Sequence, residues 1–108
     1  MNISASTIMK DNVKNGSGDD LGKIEDLMLD LATGKVSYAV VSFGGFLGMG
    51  DKLFAVPLQA MQVDTENKCL VLNESKERLE NAPGFDKDNW PDHSDSAWND
   101  QINTYYNL

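Results

Sequence analysis

With 108 residues, 17 acidic against 9 basic side chains and a net charge of −8, the chain reads as one acidic domain with an appended tail. Such a surface repels phosphate backbones and anionic headgroups, which argues against direct nucleic-acid binding and against adhesion to or insertion in membranes. Cys69 is the single cysteine, so no intramolecular disulfide can form; its neighbours Lys68-Cys69-Leu70-Val71-Leu72 make it a small apolar strand residue.

The opening residues Met1-Asn2-Ile3-Ser4-Ala5 lack the basic and apolar regions of a secretory signal, so the expected location is the cytoplasm. Thr7-Ile8-Met9 and Asn12-Val13-Lys14 read as short strands, followed by the turn-forming cluster Asn15-Gly16-Ser17-Gly18-Asp19-Asp20. From Leu21 to Leu31 the apolar residues fall at 21, 24, 27, 29 and 31, a spacing that changes from three to two. A strand with a bulge near Glu25-Asp26 accounts for the change, because 27, 29 and 31 alternate cleanly.

Ala32-Thr33-Gly34 supplies a hairpin turn, with Gly34 free to take a positive φ. Val36 to Phe43 is rich in β-branched and aromatic residues and apolar on both faces, which places it between a core and a second cover. After the glycine-rich segment 44–51, Leu53-Phe54-Ala55-Val56 is a further strand closed by Pro57. Leu58-Gln59-Ala60-Met61 reads as one helical turn, and Gln62-Val63 with Lys68 to Leu72 as a last hairpin around Thr65-Glu66-Asn67. Asn73 is a suitable N-cap for a helix over Glu74 to Asn81, stopped by Ala82-Pro83-Gly84.

Beyond Phe85 the composition changes: residues 86–108 hold both tryptophans and five Asp against one Lys. Trp98, Ile102 and Tyr105 recur at i, i+4 and i+7, one face of a short helix capped near Ser94 or Asp95. Trp90-Pro91 is an extended anchor before it. The stripe packs either on its own barrel or on a second protomer.

Gly22-Lys23-Ile24-Glu25-Asp26-Leu27-Met28-Leu29-Asp30, then Gly34 to Val41, then Gly44-Gly45-Phe46-Leu47-Gly48-Met49-Gly50-Asp51-Lys52 and Ala55-Val56-Pro57, together resemble the PRC-barrel domain. That domain occurs in the cytoplasmic part of the photosynthetic reaction-centre H subunit, in the C-terminal half of a ribosome maturation factor, and in many small stand-alone bacterial and archaeal proteins. The resemblance runs from about Ser4 to Phe85; Ala82-Pro83-Gly84-Phe85, Asn89-Trp90-Pro91-Asp92 and Tyr105-Tyr106 look like the stand-alone bacterial type. It implies a small β-barrel that often self-associates and works by protein contact, with no catalytic residues to carry over.

Several chemistries fail on the residues. Gly45 and Gly50 are spaced like a phosphate-binding loop, but Asp51 stands where the lysine belongs and a strand follows where a helix should. An EF-type loop started at Asp11 puts Val13 at position three and Gly22 at position twelve, so two ligand positions are empty. Ser94, His93 and Asp95 adjoin in a polar tail that gives no rigid frame for a triad. Glu25 and Asp26 are neighbours on a strand and point to opposite faces, unsuited to shared acid–base work.

The fold expected is all-β: a small antiparallel barrel of about six strands over residues 1–85, with short C-terminal helical elements in an acidic aromatic tail, 86–108. Leu27, Leu29, Val36, Tyr38, Val40, Val41, Leu53, Val56, Leu70 and Leu72 are its expected core. The function expected is a non-catalytic interaction module, an adaptor or scaffold that forms homodimers, contacts other proteins and needs no cofactor or metal. The candidate partner-binding residues are Phe46, Leu47 and Met49 on the glycine-rich tip, with Trp90, Trp98, Ile102 and Tyr105 in the tail. The alternative is a sensor that takes a small ligand or ion at the acidic loop or the barrel end.

Overall fold

The protein is described by a computed structural model over residues 2–9, 11–43, 52–86, 90 and 96–108. Its elements in chain order are α1 (Ala5–Ile8), β1 (Asn12–Lys14), β2 (Asp20–Asp30), β3 (Lys35–Phe43), β4 (Lys52–Val56), a 3-10 turn (Leu58–Ala60), β5 (Met61–Asp64), β6 (Cys69–Leu72), α2 (Lys76–Glu80), β7 (Gly84–Asp86) and α3 (Ser96–Tyr105). The seven strands form one sheet in the order β5-β6-β1-β2-β3-β4-β7. Every neighbouring pair is antiparallel except β1 and β6, which run parallel. The fold is therefore mostly β and barrel-like as expected, with β5 and β7 left as edges rather than paired to close the ring.

β2 holds the arrangement together because it serves two ladders. It pairs with β1 from Asp20 to Lys23 and with β3 from Lys23 to Asp30. At the bend Gly22 has φ +128°, and a Cβ built there would lie 2.1 Å from the Ser42 carbonyl oxygen. Only glycine allows β2 to pass so close to β3 in that conformation. Just beyond, the register moves from Ile24↔Val41 to Asp26↔Val40, leaving Glu25 as an extra residue. This is the bulge that the apolar spacing predicts, and it lets Ile24 and Leu27, three residues apart, both pack on the core; a second irregularity, in the β1 ladder, leaves Leu21 as an extra residue.

The core gathers behind this bend. Tyr38, Ala39, Val40 and Val41 are all at most 1% exposed, so β3 is covered on both faces. Leu53 to Val56, Leu70, Leu72, Val13 and Ile8 join it. Each Leu- or Val-sized side chain so buried contributes about 1.5–3 kcal/mol before entropy is counted.

Further along the β2–β3 hairpin the support ends. The β1 ladder stops at Lys23 and the β4 ladder starts at Ala39. Among the described residues, Met28–Asp30 and Lys35–Tyr38 therefore pair only with one another, as a two-stranded arm. Its turn is tied by Gly34 N–H to the Asp30 carbonyl (2.8 Å) and Ala32 N–H to the Asp30 carboxylate (3.0 Å).

Several expectations change at this level. Thr7-Ile8-Met9 is not a strand but part of α1, because Ser4 caps the turn by accepting from Thr7 N–H (3.3 Å) while Ile8 is buried below it. Ser75, not Asn73, caps α2: its hydroxyl accepts from Arg78 N–H at 3.1 Å, while Glu74 N–H turns back to the Leu72 carbonyl. The helix is accordingly five residues long. Leu29 is 60% exposed and leaves the expected core, and Val36 and Leu27 are only half-buried, Leu27 at the margin of the core. Pro83 does end the helical region, but Gly84–Asp86 then adds β7 beside β4, with Phe85 buried.

The two glycines of β2 and its turn separate steric need from conformational need. Gly22→Ala is expected to cost roughly 3 kcal/mol or more in urea unfolding, since backbone must move. Gly34→Ala, at φ +72° with open space around the new methyl, should cost only about 1–2 kcal/mol.

Candidate functional site

The tail candidates are brought together on the body of the domain. α3 ends at Tyr105 and is closed off by Asn107, which takes the left-handed conformation (φ 61°) while Leu108 N–H reaches the Asn103 carbonyl at 2.8 Å and Asn107 N–H the Thr104 carbonyl. This closure sets the helix face that carries Trp98, Ile102, Tyr105 and Tyr106. Ile102 is 1% exposed within the core; Trp98 and Tyr105 are half-buried against it. The Trp98 indole N–H donates to the Tyr38 hydroxyl at 3.3 Å, and its ring meets Phe85 edge-on at 6.2 Å between centroids. Trp90, 42% exposed, leans on the other side of Phe85 at 4.8 Å.

Arg78 of α2 clasps the helix. Its guanidinium lies 4.0 Å from the Tyr105 ring centre, donates to the Tyr105 carbonyl, and pairs with Glu74 at 3.2 Å. In return the Tyr105 hydroxyl donates to the Arg78 carbonyl (2.5 Å). Arginine suits this place because its planar head can stack and hydrogen-bond at once. Tyr106, beside it, is 7% exposed and its hydroxyl has no hydrogen-bond partner among the described residues. Burial, helped by Tyr105 and Glu74, pushes its ionisation above the ordinary tyrosine range.

The arm offers a different surface. Leu29 is 60% and Leu31 89% exposed, beside half-buried Leu27, Met28 and Val36. The outer edges of both strands are unpaired over this stretch among the described residues. Leu27 N–H donates to the carboxylate of its neighbour Asp26, at 2.8 Å. Phe46, Leu47 and Met49 lie outside the described residues.

The acidic loop is organised around Asn15. Its side-chain carbonyl accepts from Ser17 and Asp19 N–H, and its amide donates to the Asp19 carboxylate (3.1 Å) and the Glu74 carbonyl (3.2 Å). These bonds fasten the loop to the start of α2, an Asx-type role. Among the described residues no three of His, Cys, Asp and Glu gather as metal ligands. Cys69 is buried at 5% exposure, as its apolar neighbours indicate.

A family model of the PRC-barrel domain matches residues 1–79, from the first helix to the buried Leu79 of α2. The chain belongs to the PRC-barrel domain family. PRC-barrel domains are small interaction or sensor-type modules and are generally non-catalytic. No curated protein matches the chain. No helix among the described residues is long and apolar enough to cross a membrane. β7 and α3 lie beyond the matched stretch, so the aromatic clasp is built on the family's body by residues outside its match.

Of the contact residues, Leu31, Arg78 and Tyr106 were missed by sequence reasoning. Leu31 shares the period-two pattern of a buried strand face, and only the end of the ladder at Asp30 exposes it. Arg78 carries no spacing signal, because its partner lies on another element, whereas Tyr106 continues the Trp98–Ile102 spacing at i+8.

Tyr106→Phe removes a buried hydroxyl without a partner and should raise the melting temperature by a few degrees, corresponding to about 1 kcal/mol. The raised ionisation means that the neutral phenol is favoured in the folded state. Its contribution is complete below the unfolded tyrosine value of about 10 and is lost as pH climbs toward the folded value. Thermal melts at alkaline pH should therefore fall more steeply for the wild type than for Tyr106→Phe.

Proposed function

We propose that this PRC-barrel chain is a non-catalytic adaptor of the cytoplasm, that the β2–β3 arm is its docking surface for a protein partner, and that copies of the chain also associate as homodimers. The observation that carries the reading is the exposure of Leu29, and of Leu31 in the turn beyond it, on a ribbon whose outer edges are unpaired among the described residues. A lone two-stranded ribbon is marginal in water, and apolar side chains clustered on it gain by being covered. An extended segment of a partner can add to either edge through main-chain hydrogen bonds, while the leucines give side-chain selectivity. Phe46, Leu47 and Met49 are proposed as a second contact, on the argument that apolar residues on a glycine-rich tip need cover.

The test is affinity capture from the native lysate with wild type beside Leu29→Asp/Leu31→Asp. Both positions are exposed, so the variant should stay within about 0.5 kcal/mol of wild-type stability, checked by urea unfolding. A specific protein retained by wild type and lost by the folded variant is the expected result. Capture of the same set by both would remove the arm from the function.

A further inference from the structure

We propose that α3 is an exchangeable segment: the helix a chain lays on its own core also docks, through the same contacts, on a second copy, and mutual exchange produces the homodimer. The proposal rests on the self-association put forward above and gives its route.

Four observations lead to it. First, α3 is not part of the sheet; Trp98, Ile102, Tyr105 and Tyr106 seat it against Tyr38, Phe85 and Arg78. Those seats belong to β3, β7 and α2, which every copy presents identically. Second, a helix of ten residues is too short to persist alone in water, so it is stable only when docked. Undocking in cis is then offset by docking in trans with equal contacts, and concentration decides between the two.

Third, nine residues separate Asp86 at the end of β7 from Ser96 at the start of α3. Extended, they span roughly 30 Å, against molecular dimensions of 36 × 35 × 25 Å. The connection is therefore long enough to reach the seat on an adjoining copy once Trp90, which lies within it and 4.8 Å from Phe85, is released. Fourth, the docked helix leaves the Tyr106 hydroxyl without a partner among the described residues. This weakens the docking and makes release more accessible. The occupant is identified by fit: the surface already holds this helix, so a second copy's α3 matches it residue for residue.

The experiment uses the full chain. Carbon-13-labelled and unlabelled chains are mixed in urea, refolded together at millimolar concentration, and examined by light scattering and isotope-filtered nuclear Overhauser spectroscopy. The expected result is a mass that rises from monomer to dimer with concentration, with contacts from the Trp98 ring to Phe85 and Tyr38 appearing between labelled and unlabelled chains. A dimer whose Trp98 contacts stay within one chain overturns the exchange while leaving self-association standing through another surface. A mass that stays monomeric at every concentration overturns both, and neither result bears on the capture assay for the arm.

Discussion

The close approach of Gly22 to the Ser42 carbonyl is the contact on which the rest of the structure depends. It lets β2 turn from one ladder into another within a single residue, with no Cβ to hold the backbones apart. On one side of the bend β2 carries β1, and β1 carries the β5–β6 hairpin through the parallel β1–β6 pairing. On the other side β3 carries β4 and β7. The same bend decides where the hairpin leaves the body. Past Ile24, whose N–H still reaches the Asp11 carbonyl, β2 has only β3 as a ladder neighbour among the described residues, and Leu29 reaches solvent.

The sheet alone does not complete the core. Leu79, Phe85, Ile102 and Tyr106 all come from the C-terminal third and all are buried with residues from β1 to β6. What fastens them is reciprocal: Arg78 gives hydrogen bonds and a cation to Tyr105, and Tyr105 returns its hydroxyl to the Arg78 backbone. An arrangement of this kind selects one seating of the helix, because moving it by a turn would strand every partner at once. The family match ends at the first of these elements, at Leu79, and the remaining cover is supplied by the residues that follow.

Most of the fold was legible in the sequence. Turn chemistry at Asn15–Asp20 and Ala32–Gly34, the bulge at Glu25, the β-branched run of β3 and the Trp98–Ile102–Tyr105 stripe are local signals, and the structure follows them. The failures have a shared cause, which is that local pattern cannot report what lies opposite. Thr7-Ile8-Met9 suits a strand until Ser4 caps it as a helix over the core. Gly84-Phe85-Asp86 is too short to signal a strand, and pairs only because β4 offers an edge. Leu29 and Leu27 alternate as core residues do, yet Leu27 sits only at the margin of the core and Leu29 is exposed. The parallel β1–β6 pair is a long-range contact that no spacing within either strand encodes. The tail stripe was visible as a helix face, whereas the clasp that fixes it joins residues 27 positions apart.

The central claim is that the β2–β3 arm is an unsupported ribbon built to be covered by a protein. Amide hydrogen exchange, on the chain alone and then with the captured partner added, tests it most directly. The account predicts that amides of Met28–Asp30 and Lys35–Ser37 exchange far faster than those of Ala39–Val41 in the free chain, and slow sharply on binding. Arm amides as protected as the centre of β3 in the free chain would contradict it, as would a partner that protects other segments and leaves the arm unchanged.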